Sequence, residues 1–194
     1  EIENGRGFKT FMSYTERDLL DVMSFGNDAT DYDWRNDNLL DKVTKPDGSV
    51  FQMLYDALGR VENDGHVAYT YDNQDNVLSM QVVGSPNTLV MTYDILNRLK
   101  TATYDNKTVT YDYDNNSNVT KITYPNNSLE INYVHDANNR LTQVKVSNTV
   151  LTQYFYRNDG LLDSIWNNNG TNSKYRYDNA GRMVSMNTKK SDGA

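Results

Sequence analysis

An aromatic residue returns along this chain at a nearly constant interval. It stands at Tyr14, Trp34, Tyr55, Tyr71, Tyr93, Tyr113, His135, Tyr156 and Tyr177, with spacings of 20, 21, 16, 22, 20, 22, 21 and 21 residues. Two residues before these anchors come Met12, Tyr32, Met53, Tyr69, Met91, Tyr111, Tyr133, Tyr154 and Tyr175. Four after come Asp18, Asn38, Gly59, Asp75, Asn97, Ser117, Asn139, Gly160 and Gly181, all small or turn-forming. Six after come Leu20, Leu40, Val61, Val77, Leu99, Val119, Leu141, Leu162 and Met183. A fixed period of this length restricts the chain to a repeat array, in which each unit buries its apolar face against the next.

The last repeat shows what one unit is. Tyr175-Arg176-Tyr177 puts aromatics on alternate residues, the pattern of a strand whose side chains point to opposite faces in turn. Asp178-Asn179-Ala180-Gly181 then fits a type I turn with Asp at the first corner and Gly at the fourth. A residue with positive φ at that fourth corner suits a hairpin closed by a type I turn and a bulge. The unit is therefore strand, tight turn, strand, with turn tips expected at 56–59, 72–75, 94–97, 114–117, 136–139 and 178–181. A second set of turns rich in Gly, Pro, Asn and Asp lies between anchors, as in Lys45-Pro46-Asp47-Gly48 and Asp105-Asn106-Lys107. Each repeat is thus two strands and two turns, and the array is a long antiparallel meander. The short repeat from Tyr55 to Tyr71 needs short strands around Asp64-Gly65.

The heptads Tyr55-Asp56-Ala57-Leu58-Gly59-Arg60-Val61 and Tyr177-Asp178-Asn179-Ala180-Gly181-Arg182-Met183 resemble the YD repeat of RHS proteins. That family includes bacterial polymorphic toxins, the B and C components of Tc toxins and the animal teneurins. The resemblance spans about residues 14–186 and rests on the same positions throughout: Tyr55, Asp56, Gly59, Tyr71, Asp72, Tyr93, Asp94, Tyr113, Asp114, Asp136, Tyr156, Gly160, Tyr177, Asp178 and Gly181. Departures occur at Tyr14-Thr15, Trp34-Arg35, His135-Asp136 and Tyr156-Arg157. The resemblance implies an all-β fold: a curved antiparallel sheet of about nine tandem hairpin repeats of about 20 residues, as one array over 1–194, with a disordered tail at 188–194. It implies a non-enzymatic role as a piece of shell wall that encloses or presents a toxin or effector polypeptide. The partners implied are neighbouring repeats of a longer chain and an enclosed toxin domain, in a secreted or cell-surface setting, bacterial by preference. The family's cores often end in a self-cleaving segment with Asp-Pro-x-Gly-like motifs. None of Pro46, Pro86 and Pro125 follows Asp, so we expect the cleavage site and toxin tail to lie elsewhere.

Composition bears on partners. The 194 residues carry a net charge of −7, which disfavours nucleic acid and anionic lipid as general partners. Fifteen tyrosines make up for a modest 37% hydrophobic content. There is no cysteine and no apolar run of membrane-spanning length. The chain opens mid-repeat and ends in polar residues, so we read it as an excised segment. The terminal strands at 8–14 and 182–187 are expected to self-associate through unpaired edges.

One register question stays open at this level. Before the anchors, apolar residues alternate cleanly, as in Val109, Tyr111, Tyr113. After them they fall six and nine residues on, as in Leu141 and Val144, an odd step. Either a bulge separates the two or both faces are used.

Chemistry-bearing groups point to structure. Carboxylate pairs such as Asp112/Asp114 and Asp72/Asp75 sit at turns, where Asp caps backbone amides. His135 occupies an anchor position and is expected to pack as an aromatic, whereas His66 follows a turn and is expected to be exposed. The Asn/Asp clusters at 112–118 and 167–169 lack calcium-loop spacing. No catalytic residue, metal site or cofactor is assigned. The alternative function is a glycan- or cell-surface-binding module, in which exposed tyrosines stack on sugar rings.

Overall fold

The computed structural model describes residues 2–3 and 9–190. They form strands and turns with one short 3₁₀ turn at Pro125–Asn127. Among the described residues no helix is long and apolar enough to cross a membrane. The chain divides into two compact units, Glu1–Met91 and Thr92–Ala194.

The first unit contains β1 (Ile2–Glu3), β2 (Lys9–Tyr14), β3 (Leu20–Phe25), β4 (Asp28–Trp34), β5 (Leu40–Thr44) and β6 (Val50–Gln52), which form an open antiparallel sheet in chain order. It continues with β7 (Leu54–Tyr55), β8 (Val61–Asn63), β9 (Val67–Tyr71) and β10 (Val77–Val82), which open a second sheet. The boundary falls within β11 (Thr88–Tyr93). The second unit contains β12 (Leu99–Tyr104), β13 (Lys107–Tyr113), β14 (Val119–Thr123), β15 (Glu130–His135), β16 (Leu141–Val146), β17 (Thr149–Tyr156), β18 (Leu162–Asn167), β19 (Thr171–Tyr177) and β20 (Met183–Lys190), again in chain order.

Nine turns follow the nine anchors, and in all nine the residue four after the anchor has positive φ. The values are 59° at Asp18, 67° at Asn38, 79° at Gly59, 66° at Asp75, 59° at Asn97, 68° at Ser117, 61° at Asn139, 88° at Gly160 and 74° at Gly181. Each turn is closed by an N–H from that residue to the carbonyl three before it, as from Gly181 to Asp178 at 3.0 Å. This left-handed corner introduces one extra residue into the returning strand. Tyr177 pairs with Met183 while Arg176 pairs with Ser185, so Val184 is the bulged residue. The same shift occurs at Tyr14, Trp34, Tyr55, Tyr71, Tyr113, His135 and Tyr156. The open register question is thereby answered. With the seventh residue bulged out, the sixth faces the anchor and the ninth faces the residue two before it, as in Tyr133↔Val144 and Tyr154↔Ile165. Both apolar residues then fall on the aromatic face.

The array is broken where the sequence expects one continuous meander. The strand before Tyr55 is split at Met53, so that β6 pairs with β5 and β7 pairs with β8. The cause is the short repeat: β8 has three residues and cannot pair along a full strand. The turn at Gly65 packs on β6 instead. A Cβ on Gly65 would lie 2.9 Å from the Phe51 Cα, and the His66 ring stacks on Phe51 with centroids 4.1 Å apart. His66 is exposed but not free of contact.

Burial is thinner than the anchors suggest. A repeat built on aromatic anchors leads one to expect Tyr111 and Tyr113 to be mostly buried, and they are half-buried. Val43, at 9% exposure, is the most buried apolar residue among those described. Five of the anchor rings are covered on one face by a guanidinium and not by a second layer of apolar side chains. At the ends, Thr188–Lys190 were expected in a disordered tail but complete β20, with Thr188 opposite Ser173 and Lys190 opposite Thr171; residues 191–194 lie outside those described. Likewise β2 is not a bare edge, because Ile2 and Glu3 pair with Thr10 and Lys9. Phe8 lies outside the described residues.

Candidate functional site

The side chains richest in chemistry recur at the turns and anchors of each unit, as a ladder from hairpin to hairpin. It begins with the anchor itself. The phenol of Tyr113 donates to the carbonyl of Leu99 at 2.8 Å, reaching the residue six after the preceding anchor. Tyr55 donates to Leu40, Tyr71 to Val61 and Tyr156 to Leu141, and the Trp34 indole N–H donates to Leu20 at 2.7 Å. That carbonyl lies beside the bulge, so the anchor satisfies a group that the bulge disturbs. His135 is too short for this bond, and its Nδ1 is buried without a partner. Burial holds the phenols of Tyr55, Tyr113 and Tyr156 above their ordinary range.

The second rung is the Asp after the anchor. Asp56 Oδ1 accepts the N–H groups of Leu58 and Arg60 at 2.9 and 3.0 Å. Asp72, Asp94, Asp114, Asp136 and Asp178 cap their own turns in the same way. These bonds favour the ionised carboxylate. The N–H of Arg60 draws Asp56 below the usual carboxylate range, and the N–H of Arg182 does so for Asp178. Side-chain bonds from Asn76, Asn118 and Arg140 lead the same effect at Asp72, Asp114 and Asp136. At Asp94 the loss of solvent on burial pushes upward, and the side-chain and backbone bonds from Arg98 and the N–H of Leu96 outweigh it.

The third rung lies five residues after the anchor and was missed in the sequence reading. Where Asp follows the anchor, this position is Arg60, Asn76, Arg98, Asn118, Arg140 or Arg182. Where Thr15, Arg35 or Arg157 follows, it is Leu19, Leu39 or Leu161. In the first group the fifth residue bonds back to the Asp, as Arg98 Nε does to Asp94 at 2.7 Å. The same guanidinium lies 4.5 Å over the Tyr113 ring and donates to the Asp114 carbonyl. Arg60 over Tyr71 and Arg140 over Tyr156 repeat the arrangement at 4.6 and 4.5 Å.

The departures from the repeat keep this link by other routes. Arg35 and Arg157 pair with Asp37 and Asp159, both at 2.8 Å, and lie over Tyr55 and Tyr177 at 5.5 and 5.9 Å. Asp37 and Asp159 then cap the N–H groups of Leu39 and Leu161. In the first repeat Thr15 caps the turn, and Arg17 reaches forward to the carbonyls of Arg35 and Asn36. Where an arginine is present, a guanidinium thus ties one turn to the next from the first, third or fifth position, while Asn118 reaches Asn139 through its amide at 2.9 Å. The contact buries the guanidinium: side-chain exposure is 22% at Arg60 and 21% at Arg98, but 81% at Arg182, which has no following ring over it.

The paired carboxylates considered for acid–base work are held in these roles. Asp112 pairs with Lys121 at 3.1 Å, Asp75 accepts from Arg60, and Asp72 and Asp114 cap turns. Of the sequence-predicted positions, Tyr71, Tyr113, Tyr156 and Tyr177 lie under guanidinium groups with Tyr55, while Tyr93 ends β11 and Gly59, Gly160 and Gly181 occupy left-handed corners.

Comparison with known proteins places this ladder. Residues 64–146 match the family described as Teneurin YD-shell. That match marks an RHS/YD-repeat segment within the chain, over less than half of its length. Among solved structures the YD array resembles a TcdB2-TccC3-Cdc42 crystal structure, with a TM-score of 0.59 at 12% identity, covering 96% of this chain and 14% of that one. It also resembles a Photorhabdus luminescens Tc holotoxin pore, with a TM-score of 0.56 at 12% identity, covering 92% of this chain and 13% of that one. A TcdB2-TccC3-TEV crystal structure matches with a TM-score of 0.54 over 94% of this chain and 10% of that one, again at 12% identity. The segment therefore spans a small part of the structures it matches, and the likeness is one of fold. No curated protein sequence matches it.

Proposed function

We propose that this segment is a length of wall in a YD-repeat shell that encloses or presents a toxin or effector polypeptide, and that it acts by architecture and not by catalysis. The observation that carries the reading is the turn ladder. Its Asp, Arg and Tyr groups, which elsewhere serve acid–base or ligand chemistry, are bonded to one another and to backbone from hairpin to hairpin. Such a ladder stiffens a single-layer sheet that has little core of its own. A wall of this kind needs neighbouring repeats from the same longer chain. It belongs to a secreted or cell-surface protein, by analogy bacterial.

The test uses the natural protein that contains this segment. Under limited proteolysis an internal polypeptide should resist cleavage in the intact protein. It should become sensitive when Arg98→Ala and Arg140→Ala together loosen the wall. A protein that shields no polypeptide of its own from protease would overturn the shell role.

A further inference from the structure

The face opposite the tyrosines is polar, with cross-strand hydroxyl pairs such as Thr92 with Thr101 at 2.6 Å and Thr103 with Thr108 at 2.9 Å. Over β18, β19 and β20 it changes character. A groove of about 750 Å³ opens there, lined by Trp166, Lys174, Arg176, Lys189 and Lys190 among others, with no carboxylate in its lining. This stands out in a chain of net charge −7. Elsewhere in the same unit Arg98, Lys121, Arg140 and Arg157 are neutralised by carboxylates. Within the groove the strand register sets each cation opposite a neutral group: Lys174 faces Asn187, Arg176 faces Ser185 and Lys189 faces Asn172.

We infer that this groove is a binding site for an acidic polypeptide segment in extended conformation. Three features select that partner. Lys174 and Arg176 are two residues apart on one strand, so their side chains are spaced by roughly 6.6–6.8 Å. Acidic side chains on alternate residues of another extended chain have the same spacing. The amide and hydroxyl groups of Asn172, Asn187 and Ser185 offer partners for a peptide backbone between the charges. Trp166 supplies an aromatic surface with an N–H donor, suited to a chain that is neither wholly apolar nor wholly charged. The acidic balance of the whole chain disfavours nucleic acid as the partner. The inference goes beyond the wall role, since a wall can stand without a charged groove.

Fluorescence anisotropy of a labelled oligoglutamate peptide, titrated with the purified chain at low salt, tests the site. Saturable binding is expected, weakening as salt screens the contact. Lys174→Glu with Arg176→Glu should weaken it at least about tenfold, as expected when attractive charge pairs become repulsive. Lys174→Arg should retain it, and far-UV circular dichroism of both variants should match the parent. Binding that survives the double charge reversal would overturn the site. An oligodeoxythymidine or a heparin fragment that binds as tightly as oligoglutamate, with the same loss on charge reversal, would overturn the assignment to a polypeptide.

Discussion

Gly181 and Gly65 separate two reasons for glycine. At Gly181, with φ of 74°, an added Cβ would meet only the Leu161 Cδ1 at 3.9 Å, so the constraint is backbone conformation and not space. Asn97 and Asn139 adopt the same corner at 59° and 61°. Gly181→Asn should therefore leave thermal stability nearly unchanged. Gly181→Val should lower it by about 1–3 kcal/mol, the range for a β-branched residue forced into a left-handed corner. Gly65→Ala should be worse than Gly181→Ala, because its Cβ would also collide with the Phe51 backbone. Chemical denaturation of the four variants checks the order. At the anchors, Tyr113→Phe should lose roughly 1 kcal/mol by leaving the Leu99 carbonyl without its phenol. The left-handed corner was legible in the sequence at eight of the nine positions, since Gly, Asn and Asp tolerate it best and only Ser117 departs from that set. The depth of burial was not, because it depends on whether a second layer covers the ring.

Among elements, the link between consecutive hairpins is what the motif hides. Where it is a guanidinium it comes from the first, third or fifth residue after the anchor, and at Asn118 it is an amide, so no single column of the repeat displays it. Only the pairing of Asp with a polar fifth residue, against Thr or Arg with Leu, gave a readable trace. The bulge was foreshadowed by the odd step from the sixth to the ninth residue, but the backbone was needed to place it at the seventh. In a double-mutant cycle, Arg98→Ala and Tyr113→Leu should together destabilise less than the sum of the single changes, since each removes the same stacked contact. Strict additivity in denaturant midpoints would mean that the hairpins are not coupled through this pair. The break at Met53 was announced by the short repeat, which predicted short strands but not a divided one.

Taken together, the repeats give the molecule a characteristic response to pH. The turn carboxylates, held below their usual range by hydrogen bonds, contribute stability that is present above about pH 4 and is lost as pH falls through their lowered values. The phenols held high by burial contribute stability that is full below about pH 10 and is lost as pH rises past their raised values. The melting temperature should accordingly show a broad plateau with losses on both sides. Electron cryomicroscopy of the natural protein that carries this segment tests the central claim most directly. The account predicts that the strands of residues 9–190 form part of a continuous wall, with density for another stretch of polypeptide on its inner side. Repeats standing open to solvent, with no polypeptide enclosed, would contradict it.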